Sequence, residues 1–443
     1  MSTAVAPVWT LDHAVEQVGY GRFQTRLMLL CGLGWAADAM EVLLISFALP
    51  AIGQEWNLTA AQKGLLGTAI FLGMLAGAWV WGYLSDRIGR KTGFISTVAI
   101  DSVFGLLSAF APSFGWLVAL RALTGFGVGG TLPVDYSIFA EYLPAQKRGR
   151  YLVLLEAFWA LGTIAAAGLA WLIVPRLGWR WLLAISALPG LLIFFIRRNI
   201  PESPRYWMVR GETEQAASVL QHVANINGRP LPKFTLHPLP TSPRPGLADL
   251  WRHGLRRTTL LLWVIWFTIS LGYYGVFTWL PNYFRSQGMA LLPVYQNAFL
   301  LALAQLPGYF SAAYLVEKWG RRRTLAFYLL ASGLFTYLFA IVNSLNWIVA
   351  MGIWMSFFTL GAWGALYAYT PEAYPTALRG SGMGAASGMT RIAGALAPSL
   401  GAALMSGSSL VIPLTLYAAA YVLGSLAALA LPNETQHKPL SDL

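Results

Sequence analysis

Asp38 and Glu41 stand three residues apart inside a long apolar run, a spacing that puts both carboxylates on one face of a helix. An ionisable group in hydrocarbon costs on the order of 2.5–3.5 kcal/mol even on lenient insertion scales, so each one needs a reason to be there. Such a pair binds a cation, accepts a proton, or is neutralised by a base from another helix. Arg121 is the available base: it opens another apolar run at the level that Glu41 would occupy, while Asp38 lies nearer mid-span. Asp135, about four turns beyond Arg121 in the same run, is read as a second protonation site or a gate residue. Asp101 and Glu156 lie close enough to the ends of their runs for a structural role. Arg391 has no loop to explain it, and either holds a substrate carboxylate or pairs with a helix end.

Five aromatic residues, Trp159, Tyr273, Tyr274, Trp363 and Tyr367, also lie away from the ends of apolar runs, and Trp363 and Tyr367 share a helix face. Flat aromatic walls beside an arginine suit a small planar aromatic carboxylate, the ring stacking and the carboxylate taking the guanidinium. Plain packing stands beside that reading, because most of the 19 tryptophans are expected to anchor at the headgroup level.

Other chemistries find no footing. The five histidines all lie in polar segments, and the lone Cys31 sits in an apolar run, so neither an intramembrane histidine relay, a metal site nor an intramolecular disulfide is expected. Gly125-Phe-Gly-Val-Gly-Gly130 spells a dinucleotide-binding motif but lies inside an apolar run with no strand before it, and close helix packing through Gly125 and Gly129 explains it better. No phosphate-binding loop, zinc spacing or nucleophile elbow is present, so neither an enzyme, a cofactor nor ATP coupling is expected.

The elements that must position these side chains follow from composition. Hydrophobic residues make up 57% of the 443 and charged residues 11%, against about 25% charged in soluble domains. A span needs about 20 apolar residues, and twelve runs qualify: 27–52, 64–84, 93–112, 116–139, 151–174, 180–198, 258–284, 294–316, 324–342, 346–369, 383–406 and 411–431. Of the 30 Lys and Arg, four (Lys63, Arg176, Arg180, Arg285) fall on one side of these spans, two (Arg121, Arg391) inside them, and the rest on the other side. That asymmetry predicts cytoplasmic N- and C-termini, and it makes the net charge of +12 a mark of topology rather than of a nucleic-acid partner. Residues 1–25 carry no cleavable-signal pattern.

Residues 199–257 form the only long polar segment between spans, with an amphipathic stretch after Gly211 and a proline-rich linker from Pro230 to Pro245. The chain divides into an N-terminal six-helix bundle (1–198), a cytoplasmic linker (199–257), and a C-terminal six-helix bundle with a short tail (258–443). A constant offset of 231 relates the halves: Tyr83, Leu84, Gly89 and Arg90 recur as Tyr314, Leu315, Gly320 and Arg321, and Glu141, Pro144, Arg148 and Gly149 as Glu372, Pro375, Arg379 and Gly380, with Asp86 matched by Glu317. One register across separated segments implies a duplicated unit with a substrate site near the midplane between the halves.

Gly82-Tyr-Leu-Ser-Asp-Arg-Ile-Gly-Arg-Lys91 resembles the signature loop of the major facilitator superfamily, and Pro201-Glu-Ser-Pro-Arg205 resembles its sugar-porter and organic-ion branch. Gly21-Arg-Phe-Gln24, Asp38-Ala-Met-Glu41 and Gly272-Tyr-Tyr-Gly275 are similar to bacterial nicotinate transporters and the related synaptic-vesicle glycoproteins. The resemblance implies an all-α membrane protein of twelve transmembrane helices in two pseudo-symmetric bundles. It also implies that Asp86 faces the start of helix 11 and Glu317 that of helix 5, and that Arg90 with Glu141 and Arg321 with Glu372 complete two clusters closing the cytoplasmic side. A helix 1 carboxylate coupled to a helix 4 arginine would be a proton switch, Asp38 being preferred over Glu41 for the proton, and Trp159, Tyr273, Tyr274 and Trp363 match cavity-lining positions. Tyr367 departs from the vesicle branch, where an acid is expected.

The expected function is therefore a secondary active transporter of a bacterial inner membrane, importing nicotinate or a similar aromatic acid with protons. Alternatives are a sugar, another aromatic acid or an organic cation as substrate, and, in a different class, a non-transporting membrane binding protein.

Overall fold

The computed structural model describes residues 7–238, 247–252, 254–375, 378–405, 409–432 and 434. With no water in a bilayer core, backbone groups must be satisfied within the segment, which makes helix the outcome of each apolar run. In the first half these helices are α1 (Arg22–Glu55), α2 (Ala60–Ile88), α3 (Arg90–Ser108), α4 (Phe114–Glu141), α5 (Ala145–Leu177) and α6, which runs as Trp179–Ala184, a 3-10 turn Ile185–Leu191 and Leu192–Asn199. In the second half they are α7 (Arg256–Ser286), α8 in two pieces (Leu291–Leu303 and Gln305–Lys318), α9 (Arg321–Ile341), α10 (Leu345–Glu372), α11 (Arg379–Leu404) and α12 (Val411–Leu429).

All twelve apolar runs are therefore helical. Among the described residues, ten of the helices are long and apolar enough to cross a membrane. The other two are α3, interrupted by Arg90, Lys91 and Asp101, and α11, which is rich in glycine and carries Arg391. Large apolar side chains such as Trp79, Phe110 and Phe194 point outward, 72–79% exposed, as a lipid-facing surface requires.

The glycine spelling in α4 is a packing device. A Cβ at Gly125 would lie 2.0 Å from the Ile70 carbonyl oxygen and one at Gly129 2.1 Å from that of Met74, while Gly73 and Gly77 of α2 meet the Ala122 and Phe126 carbonyls at 1.9 and 2.2 Å. Four glycines thus let two backbones touch, as small residues do between membrane helices. The pattern obeys the internal repeat: Gly308 meets the Phe357 carbonyl at 2.0 Å, 231 residues on from Gly77 and Phe126. Gly125→Val is expected to destabilise by at least the about 1–3 kcal/mol typical of overpacking. Gly115→Ala, on the same helix with open space around it, should change stability by less than about 0.5 kcal/mol. Thermal unfolding of the two variants in detergent checks this.

Outside the spans, parts of residues 1–25 and of the proline-rich linker join in a small module that the sequence reading did not anticipate. Strand β1 (Val8–Trp9) pairs in parallel with β2 (Thr235–Leu236), Trp9 stacks on Phe234 at 4.6 Å, and a short helix, Leu11–Val18, packs on the linker helix Thr213–Ile226. Asn227 ties this module to the start of α1, accepting from the Phe23 N–H and donating to Gln24, both at 2.9 Å.

Candidate functional site

Two sets of residues meet in the middle of the molecule. The first lies wholly inside the N-terminal half. Arg121 of α4 donates to Glu41 Oε2 at 2.9 Å and to the Glu41 carbonyl at 2.7 Å, with both side chains fully buried. The pair is not fully satisfied, since Glu41 Oε1 and Arg121 Nε lack partners. Asp38 lies one turn away on α1 and Asp101 on α3, each with one buried oxygen unpartnered. Asp135 has both oxygens buried without a hydrogen bond, and fits beside α1 because Gly34 has no side chain: a Cβ there would lie 3.1 Å from Asp135 Oδ2. Four carboxylates and one guanidinium therefore share one buried interface. Asp38, Glu41 and Asp135, expected to handle protons, are together here; Arg121, expected at the substrate, is engaged by Glu41 and does not line the central cavity.

The second set surrounds that cavity, which lies between the halves. Trp159, Tyr273, Tyr274, Trp363, Tyr367 and Arg391, all expected at the substrate, line it. The rings support one another: Trp35 and Trp159 lie 5.0 Å apart, Trp266 meets Tyr367 edge-on at 5.0 Å, and Trp159 Nε1 donates to the Tyr273 hydroxyl across the two halves at 3.0 Å. Buried rings in mutual edge-to-face contact hold their planes fixed, which makes flat slots rather than a pliable lining.

Arg391, from α11, is 5% exposed, and among the described residues it makes neither an ion pair nor a hydrogen bond. Glu156 and Asp38 act on it only through space, and a buried guanidinium lacking a contact partner is costly, so an anion in the cavity is its natural complement.

The wall also contains residues that sequence reading passed over. Trp35, Met74, Tyr309 and Thr390 line the cavity, and an aromatic or apolar residue within a span carries no signal that separates cavity from core. Glu156 lines it too, rather than holding α5 at an inner edge: its Oε2 accepts from Trp35 Nε1 at 3.2 Å and its Oε1 from the Tyr136 hydroxyl.

At the end of the bundle that carries the linker, each half holds its own charge cluster. Arg90 pairs with Glu141 at 3.6 Å, and Arg321 with Glu317 at 3.0 Å and Glu372 at 3.1 Å. The side chains of Asp86, Arg148 and Arg379 lie outside those described. Gly89 and Gly320, equivalent in the repeat, both take positive φ (104° and 93°) to turn the chain between helices. Glu202 caps the start of α3, accepting from the N–H groups of Arg90 and Lys91 at 2.8 and 3.2 Å, and Glu434 does the same for Arg321 and Arg322 at α9. Negative charge at a helix N-terminus is favourable there. The match of Pro201 to Pro432 at the common offset was a legible signal for Glu434, masked because its acid stands one residue out of register.

Contacts joining the halves gather at the opposite end. Thr68 donates to the Ala395 carbonyl at 2.7 Å and lies 2.8 Å from the Ser399 hydroxyl; the Tyr295 hydroxyl donates to the Phe47 carbonyl at 2.9 Å. Toward the linker end, Gly384 and Gly388 of α11 meet nothing within 4 Å.

Comparison with known proteins bears on this site. The family described as "Sugar (and other) transporter" matches residues 35–443. The niacin transporter of Acinetobacter baylyi is 39% identical over 389 residues, 88% of this chain and 89% of that relative. The synaptic vesicle 2-related protein of Bos taurus is 35% identical over 452 residues, 98% of this chain and 82% of that relative. Among solved structures, the xylose transporter of E. coli in a partially occluded inward open conformation superposes with a TM-score of 0.75 at 18% identity, covering 94% of this chain and 100% of that one.

Proposed function

Because this chain belongs to the sugar (and other) transporter family of the major facilitator superfamily, we propose that it imports a small aromatic carboxylate, nicotinate first, by alternating access and together with protons. The observation that carries the substrate class is the buried Arg391, without an ion pair among the described residues, in a wall of aromatic rings. The likeness to a niacin transporter over 88% of the chain supports the same reading. The excess of Lys and Arg at the linker end supports a cytoplasmic location for that end and for both termini, in a bacterial inner membrane. In that orientation the Thr68–Ala395, Thr68–Ser399 and Tyr295–Phe47 contacts join the halves on the external side, which supports inward release of substrate from this state. The paired charges Arg90–Glu141 and Arg321–Glu372, with Glu317, would then belong to the cytoplasmic gate that closes when the halves rock the other way.

For coupling, the division of labour within the buried acidic interface is informative. Glu41 is held by Arg121, whereas Asp38 makes no ion pair among the described residues and has Arg391 only through space. Asp38 is thus the residue whose charge changes with the transport cycle, with Asp135 behind it. Labelled nicotinate uptake into proteoliposomes tests the whole reading. Accumulation in the parent should require an inward proton gradient, and Asp38→Asn should lose at least tenfold of gradient-driven uptake while keeping nicotinate exchange. Accumulation indifferent to the gradient would remove proton coupling; no uptake in a verified reconstitution would remove nicotinate.

Glu156 in the cavity wall favours a second reading, an organic cation with that carboxylate as counter-charge. Competition by a quaternary ammonium ion, without competition by nicotinate, would select it.

A further inference from the structure

Glu156 and Arg391 face one cavity from opposite halves of the molecule, Glu156 on α5 and Arg391 on α11, and do not pair with each other. Both Glu156 oxygens already accept from the wall, Trp35 Nε1 on one side and the Tyr136 hydroxyl on the other. These neutral donors, with Tyr367 hydrogen-bonded to Glu156 as a third contact, fix the plane of the carboxyl group without neutralising it. A protonated carboxyl held this way still has one O–H to donate, and that donor belongs to a group that lines empty space. The cavity therefore presents two polar poles: a guanidinium fork that suits a carboxylate, and a carboxyl group that suits a hydrogen-bonding ring atom. The space between them is walled by aromatic rings.

We propose that Glu156 is the specificity residue for the ring nitrogen of a heteroaromatic acid, so that the bound substrate spans the two halves with its carboxylate on Arg391 and its ring nitrogen on Glu156. The inference rests on the reading of the cavity as an aromatic-acid site and deepens it. One proton lies between Glu156 and the ring nitrogen and is not transferred to any other group. A planar acid without a ring nitrogen satisfies Arg391 but leaves the Glu156 carboxyl facing a C–H edge. Sites built to hydrogen-bond a substrate atom discriminate sharply against analogues that lack it, because the buried polar group is left unpaired. The bridge also gives the ligand a direct role in closure: only a ligand with both groups is gripped by both halves, while an acid held at one pole leaves the other half free.

The test is displacement of labelled nicotinate from the purified protein by unlabelled nicotinate and by benzoate, which keeps the ring and carboxylate but lacks the nitrogen. In the parent, nicotinate should displace at least tenfold better than benzoate. Glu156→Leu should bring that ratio to within about twofold, chiefly by weakening nicotinate, and Glu156→Gln, whose amide donates to a ring nitrogen, should restore most of it. A ratio unchanged in Glu156→Leu overturns the proposal while leaving the aromatic-acid site standing. A Glu156→Gln ratio as flat as that of Glu156→Leu overturns it too, because a donor at that position would then not be what selects the ring. A parent that binds nicotinate and benzoate equally overturns it directly, and a parent that binds neither removes the aromatic-acid reading together with it.

Discussion

Replacing Arg121 with leucine is expected to cost about 3–5 kcal/mol of stability, because it strips the cation that pairs with Glu41 and leaves a fully buried carboxylate without it. The double variant Arg121→Leu/Glu41→Leu should recover at least half of that loss, since removing both charges also removes their desolvation, and buried ion pairs are often replaced by apolar residues at little net cost. Thermal unfolding in detergent of the parent, the two single variants and the double variant gives the coupling energy from the cycle. Equal losses in the single and double Arg121 variants would mean that Arg121 holds α4 by shape alone and that Glu41 is carried as a neutral acid. The same set of proteins separates stability from coupling: a stable double variant that still accumulates nicotinate in a proton gradient would assign the pair to packing and leave Asp38 and Asp135 as the proton-handling groups.

Much of the architecture was legible because the bilayer imposes one rule on every span, and because duplication repeats the same physical solution twice. Gly89 and Gly320 take the same rare backbone angle, and Arg90 and Arg321 find the acids 51 residues further on in each half, Glu141 and Glu372. What apolar runs withhold is which face of a helix meets which neighbour. Spacing puts Asp38 and Glu41 on one face, but only the packing of α1 between α4 and α5 decides that Glu41 meets Arg121 and that the pair lies outside the cavity.

Glu156 was misjudged for a related reason. Its depth was counted from the first apolar residue of the run, near residue 151, whereas α5 starts at Ala145, so the carboxyl stands three turns into the helix beside Trp35 and Tyr136. Asp101 was likewise given a structural place at an inner edge, yet one of its oxygens is buried without a partner in the same interface as Asp38 and Glu41. Trp35, Tyr309 and Thr390 offered no signal at all, because residues of these kinds are as common against lipid or core as they are around a ligand.

Arg391→Gln is expected to weaken nicotinate binding by about tenfold to a hundredfold, the loss of one charge-assisted pair worth roughly 1.5–3 kcal/mol. Nicotinamide, which keeps the ring and its nitrogen but carries no charge, should lose less than about threefold, and this contrast is what isolates the guanidinium from the aromatic slot. Arg391→Lys should fall between the parent and Gln, since an ammonium supplies the charge without the planar fork. Quenching of the cavity tryptophans, Trp35, Trp159 and Trp363 among them, reads all of these bindings directly. If nicotinate and nicotinamide weakened together, the substitution would have disturbed the ring box rather than removed an anion site. If neither changed, the carboxylate would be held elsewhere, and Arg121 would have to leave Glu41 to hold it, which the stability cycle above, repeated with nicotinate present, would report as a smaller coupling energy.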